Sequence, residues 1–432
     1  MPSSDFKSTA FAIEYQGTSF PYIWLRDSCQ CSSCVNPINK QKLHRSSDID
    51  AGVTPAFEGV KVTDLGVEVT WNSGHRSIYS AKFLDRHSSA AKLSQSHKDL
   101  PPILWDRDSI TNARNLSLSY ESLQSSSGLL SAMTQLLQYG LVFITSVPNS
   151  ETSYENCGVR KLAERFGGQV RNNMYGEIWD ILDGSDSLTS MHQDLPYFEN
   201  PPKYLALHSV RNRVVGGNCL FIDALNAATI LRRSNPDAFD VLATTPVSFH
   251  LEHNGHHIHR SHTTIEMDTT SGTSLATQSI KCINYSPAFQ APLALATPPS
   301  FYTALGEFVA LLSKPEMVYE HQLKEGDGLL FENRRLLHGR TSFEDKSGKT
   351  EGEISRWQQG CWFEADTLWD NARVLGAEVE VEISANPKKT RSQDAVTRTV
   401  KFQLAPNYLL PTPVPSSGNY LVGSSPSSGL FE

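Results

Sequence analysis

The chain has 432 residues, of which 39% are hydrophobic and 19% charged, and its formal net charge at pH 7 is −8. This length predicts about two or three domains, and the apolar content excludes a disordered protein. The negative charge argues against a protein that binds nucleic acid or an anionic membrane, because such binding depends on Lys and Arg. No apolar run approaches the roughly 20 residues of a membrane span.

The N-terminus has neither the apolar core of a secretion signal nor the arginines of a transit peptide. The sequence therefore predicts a cytoplasmic protein, in which thiols are reduced or bind metal rather than form disulfides. Seven cysteines in a chain of this length also do not make a disulfide scaffold.

In chain order, residues 1–95 are expected to form a small β domain. Short aromatic or β-branched runs alternate there with Gly, Asp and Ser turns, and Ser19–Leu25 is one of the predicted strands. Residues 96–125 are polar and contain prolines, so we expect a linker.

Residues 126–380 are expected to form the main domain. A helical pattern at Gly128–Tyr139 precedes a buried strand over residues 140–145, and strand-like runs dominate the rest. Further helical patterns interrupt these runs at Ala224–Arg233, Pro236–Thr244 and Ser300–Ser313. The predicted fold class is mainly β with flanking helices, of the sandwich or jelly-roll barrel type. Residues 384–432 are rich in Pro, Ser and Gly and are expected to be mostly disordered.

A cluster of cysteines near the N-terminus consists of Cys29, Cys31 and Cys34. Three thiolates this close together suit tetrahedral zinc, but a structural zinc site needs a fourth ligand. The downstream candidates are His44, His75 and His87. His75 follows a turn between two predicted strands, which would hold it rigidly. Free cysteines, or one disulfide with a spare thiol, are the alternative.

A second possible metal site begins with a His-x-Asp motif, His192 and Asp194, which His338 follows far downstream. Two histidines and one carboxylate on one side of a metal form the facial triad of non-haem Fe(II) oxygenases. Residues i and i+2 of a strand project to one side, so the first two side chains are able to bind one ion. Arg356 is a candidate partner for a carboxylate of a 2-oxo acid cosubstrate. The alternative for His192 and Asp194 is a hydrogen-bonded pair in a loop. The alternative for Arg356 is a surface salt bridge.

Six of the 14 histidines lie between His250 and His262. Such a run is compatible with a second metal site, but neither a cysteine nor a paired carboxylate joins it. A polar strand-and-loop excursion on the exterior of the barrel is the favoured interpretation.

These motifs resemble the γ-butyrobetaine and trimethyllysine dioxygenases of the wider taurine-dioxygenase-like superfamily, over most of residues 20–375. The segments that carry the resemblance are WLRDSCQCSSC at 24–34, HQD at 192–194, GGNCLFIDALNA at 216–227, FENRRLLHGR at 331–340, SRWQQGCW at 355–362 and DNARVLG at 370–376.

The resemblance implies a double-stranded β-helix barrel behind a small zinc domain, and often a homodimer. It implies structural Zn(II) on Cys29, Cys31, Cys34 and His75, and catalytic Fe(II) on His192, Asp194 and His338. It also implies that Arg356 binds the distal carboxylate of 2-oxoglutarate and that O2 is a cosubstrate.

The resemblance further implies an aromatic cage for a quaternary ammonium, held by cation–π contacts. Tyr175 and Trp179 match two cage residues, Trp362 stands where the family has a cage tyrosine, and Tyr197 is a further candidate. Core packing is the alternative for each of these aromatic residues.

The sequence departs from the family at three places. Cys219 stands where a Thr or Ser usually lies near the cosubstrate carboxylate. The segment 180–191 is shorter than in the family and lacks an aromatic element that contributes to substrate binding. A polar insertion, EDKSGKTEG, lies between His338 and Arg356.

The expected activity is hydroxylation of a small quaternary-ammonium substrate of the carnitine-biosynthesis type. One alternative keeps this chemistry on a different amine or a secondary-metabolite precursor. The other alternative is a non-enzymatic protein whose zinc domain mediates protein contacts.

Overall fold

The computed structural model of the chain describes residues 6–63, 65–182, 189–345 and 353–385. Its strands are β1 (Phe6–Ser8), β2 (Ala12–Tyr15), β3 (Thr18–Pro21), β4 (Pro55–Thr63), β5 (Gly66–Trp71), β6 (Arg76–Ser80), β7 (Ser117–Ser119), β8 (Leu141–Thr145), β9 (Trp179–Leu182), β10 (Thr189–His192), β11 (Tyr204–Asn212), β12 (Val214–Gly216), β13 (Cys219–Asp223), β14 (Pro246–His253), β15 (His256–Thr263), β16 (Ile265–Asp268), β17 (Ser279–Ile283), β18 (Tyr319–His321), β19 (Gly328–Glu332), β20 (Leu336–Arg340), β21 (Phe343–Asp345) and β22 (Arg356–Phe363). Its α-helices are α1 (Tyr22–Asp27), α2 (Ala81–His87), α3 (Ala90–Ser96), α4 (Arg107–Thr111), α5 (Ser126–Tyr139), α6 (Gly158–Arg165), α7 (Ala224–Ser234), α8 (Pro236–Thr244), α9 (Pro299–Leu312) and α10 (Ala365–Ala385).

The N-terminal unit combines two three-stranded sheets, β1–β2–β3 and β4–β5–β6, with helices α1 to α3. Its core is aromatic, because Trp71 and Tyr79 are buried on neighbouring strands. The Trp71 indole N–H donates to Ser77 Oγ at 2.9 Å, and the Tyr79 hydroxyl donates to the carbonyl of Leu25. These bonds satisfy the polar atoms that large aromatic residues bring into a core.

The predicted strand Ser19–Leu25 is wrong in its second half. Strand β3 ends at Pro21 and helix α1 begins at Tyr22, so the unit is mixed rather than all β. Tyr22 and Leu25 are three residues apart and both are buried, as expected for one face of a helix. The continuous apolar run of residues 22–25 therefore concealed a helical period.

Two larger sheets lie in the main unit, together with three two-stranded ones among the described residues. The larger has the strand order β7–β8–β19–β11–β22–β9 and the smaller has the order β10–β20–β13–β18. Phe143 and Phe331 of the larger sheet contact Phe221 of the smaller one, with ring centroids 6.3 and 5.4 Å apart. Helices α5 and α7 to α9 flank these strands. The structure thus has the predicted mixture of strands with flanking helices.

Helix α5 contains the predicted helix Gly128–Tyr139 and has clear termini. The Ser125 hydroxyl accepts a hydrogen bond from the backbone N–H of Gly128 at 3.1 Å, which caps the first turn. Gly140 ends the helix with φ +73, a left-handed conformation that glycine adopts at little cost. The chain then enters the buried strand β8, as predicted.

Part of the segment 96–125, which we expected to be a linker, is integrated into the main unit. Strand β7 pairs in parallel with β8, and the Trp105 side chain is buried. The backbone N–H of Trp105 donates to Asp223 Oδ2 at 3.1 Å, and its indole N–H donates to the carbonyl of Tyr139 at 2.7 Å. Few apolar residues anchor this segment, which is why its polar composition was misleading.

The histidine run lies on the hairpin β14–β15, where His250 pairs with His259 and His253 with His256. These four side chains are exposed, in line with the interpretation as a strand-and-loop excursion.

Disorder was expected for residues 384–432, and from residue 386 onward this segment lies outside the described residues. Within the described part of the chain, no helix is both long and apolar enough to cross a membrane.

A buried ion pair provides a test of the fold. Arg335 Nη2 lies 2.7 Å from Asp223 Oδ2, and the two side chains are only 3% and 0% exposed. Replacing Arg335 by Met leaves the Asp223 carboxylate without its cation, and we expect a destabilisation of about 3–5 kcal/mol. Arg213→Met is the control, because Arg213 pairs with Glu325 at the surface, where such a pair contributes about 1 kcal/mol or less.

Thermal unfolding of both variants measures the difference. A variant at Arg335 that melts within a degree or two of the Arg213 variant would contradict the structural role of the buried pair.

Candidate active site and metal centres

Three of the predicted ligands converge where β10 meets β20. His192 lies directly opposite His338 in this antiparallel pairing, and Asp194 follows His192 by two residues. Asp194 Oδ1 lies 3.3 Å from His192 Nε2 and 3.6 Å from His338 Nε2. The three ligand atoms lie within 4.8 Å of one another. Two imidazoles and a carboxylate in this arrangement fit a non-haem Fe(II) ion.

Hydrogen bonds from outside the triad orient its members. His192 Nδ1 lies 2.8 Å from the carbonyl of Ser190, so Nδ1 carries the proton and Nε2 presents its lone pair to the site. Asn333 holds the backbone of Asp194 on both sides. Its Oδ1 accepts from the Asp194 N–H at 2.8 Å, and its Nδ2 donates to the Asp194 carbonyl at 3.0 Å.

The electrostatics of His338 and Asp194 favour a ligand state. Burial would lower the pKa of His192, but the hydrogen bond and the charge of Asp194 outweigh burial and hold this pKa above its ordinary value. Burial, together with the charge of the adjacent His192, lowers the pKa of His338 to about 3, so the His338 imidazole is neutral. Burial raises the pKa of the Asp194 carboxyl, but His338 and His192 outweigh that effect and hold it below its ordinary value. A neutral imidazole and an ionised carboxylate are the forms that bind a metal.

The triad lines a cavity of about 480 Å³. Each of the predicted cosubstrate and substrate residues also lines this cavity: Cys219, Arg356, Tyr175, Trp179, Tyr197 and Trp362. The structure therefore brings all candidates for this site together, although they come from distant parts of the sequence.

Two guanidinium groups face this cavity. Arg356 begins β22 and is buried, and Arg340 lies on β20 two residues after His338. Both pack on the ring of Phe343, with Cζ 5.5 Å and 4.5 Å from its centroid. Sequence reasoning missed Arg340 as a site residue, although its i+2 spacing from His338 on a strand was a usable signal.

Cys219 lies beside these arginines. It is directly opposite Arg340 in the pairing of β13 with β20. Burial raises the pKa of its thiol to about 11, and the charges of Arg356 and Arg340 only partly oppose this effect. Cys219 is therefore a neutral thiol, a weak hydrogen-bond donor rather than an anion.

Five aromatic side chains form what we call the aromatic wall of the cavity: Tyr175, Trp179, Tyr197, Phe289 and Trp362. The Trp179 and Trp362 rings lie 4.8 Å apart with an interplanar angle of 32°. The Tyr175 and Tyr197 hydroxyls are 3.0 Å apart. Phe289 packs edge-on against Tyr197 at 5.1 Å and was not predicted, because its 3-10 turn has no motif that marks it.

Gly360 makes room for the aromatic wall. It lies on β22 directly opposite Trp179 of β9. A Cβ atom added at Gly360 would lie 2.4 Å from Trp179 Cζ2, which is too close for any real contact. The position of the Trp179 ring therefore depends on the missing side chain at 360.

The cysteine cluster meets His75 in the N-terminal unit. His75 Nε2 lies 3.3 Å from Cys29 Sγ, 3.7 Å from Cys31 Sγ and 3.6 Å from Cys34 Sγ. A tetrahedral zinc with Zn–S of about 2.3 Å and Zn–N of about 2.0 Å separates sulfur and nitrogen ligands by about 3.5 Å. The four side chains thus fit a zinc ion, and none of the cysteines forms a disulfide.

The turn between β5 and β6 places His75 at this site. The backbone N–H of Trp71 donates to the carbonyl of His75 at 2.8 Å, and Gly74 adopts φ +80. The two other candidate histidines point elsewhere: His44 lies 3.3 Å from Asp27, and His87 hydrogen-bonds its own helix. The structure therefore selects His75 from the three candidates by proximity.

Two of the departures from the family fall partly outside the described residues. Residues 183–188 of the short segment 180–191 are outside the described residues. The same holds for residues 346–352 of the insertion before Arg356. The third departure, Cys219, lies in the cavity as described above.

Comparison with known proteins agrees with this architecture. Residues 97–362 match the taurine catabolism dioxygenase TauD, TfdA family, and residues 5–85 match the gamma-butyrobetaine hydroxylase-like N-terminal domain. "Dioxygenase str8" of Strobilurus tenacellus is 44% identical over 82% of this chain and 85% of its own. Gamma-butyrobetaine dioxygenase of Homo sapiens is 27% identical over 84% of this chain and 92% of its own. The mitochondrial trimethyllysine dioxygenase of Mus musculus is 27% identical over 84% and 85%.

A match of this extent makes the protein an oxidoreductase of the 2-oxoglutarate-dependent dioxygenase class, which acts on small molecules. Within that class, the chain belongs to the taurine catabolism dioxygenase TauD, TfdA family, whose members typically depend on Fe(II) and 2-oxoglutarate and have a jelly-roll fold. The resemblance seen in the sequence is confirmed, and the interpretation as a non-enzymatic interaction protein is set aside. The cytoplasmic location stays a prediction.

The predicted zinc ligands are open to a direct test. His75→Ala removes the nitrogen ligand, and we expect the purified chain to lose most of its bound zinc and the N-terminal unit to unfold at a lower temperature. His44→Ala, at the histidine that lies beside Asp27, is the matched control and should retain about one zinc per chain. Elemental analysis measures the zinc, and equal zinc content in the two variants would exclude His75 as a ligand.

Proposed function

We propose that this chain is an Fe(II)- and 2-oxoglutarate-dependent hydroxylase of a small quaternary-ammonium compound. In this proposal His192, Asp194 and His338 hold the iron. The observation that carries it is the convergence of this triad, buried Arg356 and the aromatic wall on one cavity. Bound Fe(II) would supply the activation of O2 and the oxidation of a C–H bond, for which protein side chains have no redox chemistry.

The protein's part begins with the cosubstrate. Arg356 is proposed to pair bidentately with the distal carboxylate of 2-oxoglutarate, because a buried guanidinium matches a carboxylate in charge and geometry. Arg340 adds a second positive charge to the same cavity. Cys219 offers only a thiol where a hydroxyl is usual, so we propose that the arginines supply most of the cosubstrate affinity.

The aromatic wall is proposed to hold the substrate cation. A quaternary ammonium has no hydrogen-bond donor, and each aromatic face contributes about 0.5–2 kcal/mol to its binding. Tyr175, Trp179 and Tyr197 present aromatic groups in the cavity that contains the Asp194 carboxylate. Two of the relatives described above are named for trimethylated compounds, which supports this substrate class.

One observation favours a second candidate substrate. The Trp179 and Trp362 rings pack against each other at 4.8 Å with a tilt of 32°, so each covers part of the other and less aromatic surface is left to surround a cation. Such a wall suits a flat apolar molecule, for example a secondary-metabolite precursor. The relative with 44% identity is named as a dioxygenase, and its name specifies no substrate.

The N-terminal site is proposed to be structural zinc on Cys29, Cys31, Cys34 and His75. Four protein ligands leave no open position for a substrate. The metal would join the end of α1 to the β5–β6 turn in a unit whose apolar core is small.

The cosubstrate proposal predicts a specific defect in Arg356→Met. Loss of charge-assisted hydrogen bonds worth about 1.5–3 kcal/mol should raise KM for 2-oxoglutarate roughly 10- to 100-fold. Succinate formation measures it, with the surface variant Arg213→Met as the control. An unchanged KM would mean that Arg356 does not bind the cosubstrate.

The substrate proposal is tested with matched pairs of compounds. γ-Butyrobetaine and trimethyllysine are each compared with the neutral analogue in which a tert-butyl group replaces trimethylammonium, and with flat aromatic compounds. We expect faster 2-oxoglutarate turnover with the cations than with their neutral analogues, and none in His192→Ala. If 2-oxoglutarate is turned over only with the flat compounds, the flat apolar substrate replaces the quaternary-ammonium substrate as the proposal.

A further inference from the structure

We propose that Trp362 is a positioning residue for the iron ligand Asp194, in addition to its place in the aromatic wall. Its indole Nε1–H donates to Asp194 Oδ2 at 3.1 Å. This inference rests on the proposed function, because it assigns the ligand role to Asp194.

The two oxygens of the Asp194 carboxylate have different surroundings. Oδ1 faces both imidazoles, at 3.3 Å from His192 Nε2 and 3.6 Å from His338 Nε2. Oδ2 faces the indole N–H of Trp362 instead. A carboxylate held in this way offers one oxygen to a metal, and its second oxygen is kept from taking a further coordination position.

The Trp362 hydrogen bond restrains the Asp194 carboxylate, which the hydrogen bonds of Asn333 to the Asp194 backbone do not reach. Asn333 fixes the backbone N–H and the carbonyl of Asp194 through its side chain. Rotation about the side-chain bonds remains, and rotation of the carboxylate would exchange Oδ1 for Oδ2 at the metal. The indole N–H opposes that rotation because it satisfies Oδ2 inside the cavity.

Trp362 is itself held in place. Its side chain is 4% exposed, and its backbone carbonyl accepts from the N–H of Arg171 at 2.7 Å. Its ring packs on Trp179 at 4.8 Å and on Tyr175 at 6.0 Å. Because the ring cannot turn without disturbing this packing, the position of its N–H is defined before any metal binds.

The test removes the N–H and keeps the ring. In zinc-loaded protein, Mn(II) is titrated as a probe that prefers oxygen and nitrogen ligands, and the loss of its free-ion EPR signal gives Kd. We expect Trp362→Phe to raise the Kd about 10- to 100-fold, the usual effect of removing a group that orients a metal ligand. Replacing Trp362 by benzothienylalanine, which keeps the bicyclic shape and lacks the N–H, should raise the Kd similarly.

Trp357→Phe is the matched control. Trp357 lies on the same strand, and its indole N–H donates to Asp180 Oδ1 at 2.7 Å, a carboxylate outside the triad. Its Kd for Mn(II) should stay within about twofold of the wild type. His338→Ala should abolish binding at this site.

The outcomes separate the two proposals. If wild-type protein and His338→Ala bind Mn(II) equally, the triad is not a metal site and the proposed function fails. If the triad binds Mn(II) and both replacements of Trp362 leave the Kd unchanged, the proposed function stands and the positioning role is wrong. The thermal unfolding temperature of each zinc-loaded variant, measured without Mn(II), reports whether the ring at position 362 is still packed. If Trp362→Phe is destabilised, the benzothienylalanine variant keeps the test decisive.

Discussion

The candidate active site depends on the register of one strand pair, β10 with β20. This register sets His192 against His338, and a slip of one residue would turn one of the two imidazoles to the opposite face of the sheet. Strand β20 also pairs with β13 on its other side, and that second pairing sets Cys219 against Arg340. The proposed metal ligands His192 and His338 and the cavity residues Cys219 and Arg340 thus meet through two pairings that share strand β20.

The turn that leads into β20 connects this strand to other parts of the protein through side-chain contacts. Three consecutive residues of this turn reach three different regions. Asn333 holds the backbone of Asp194, Arg334 Nη2 lies 3.0 Å from Glu266 Oε2, and Arg335 forms the buried ion pair with helix-capping Asp223. Charged residues of this kind are costly to bury unless each is paired, so the turn has few alternative arrangements. This accounts physically for the polar sequence FENRRLLHGR immediately before and within the site.

Several features of the site could be predicted from the sequence because they rest on local spacing. The i, i+2 arrangement of His192 and Asp194 and the close spacing of the cysteines are of this kind. Other features depend on long-range contacts that no local pattern reports. The choice of His75 over His44 follows from the β5–β6 turn reaching the end of α1, and the burial of Trp105 follows from an acceptor more than a hundred residues away in Asp223. The helix after Pro21 was missed because strand and helix periods coincide over so short a run.

The contact of Gly360 with Trp179 also bears on how this pocket is able to change. A single methyl group at position 360 would have to displace an entire indole ring, because β22 and β9 hold the two backbones at fixed separation. A small change of sequence at this one position therefore changes the shape of the aromatic wall, because Trp179 packs on Trp362 within it. The absence of a side chain at position 360 thus sets the shape of the wall that is proposed to bind the substrate.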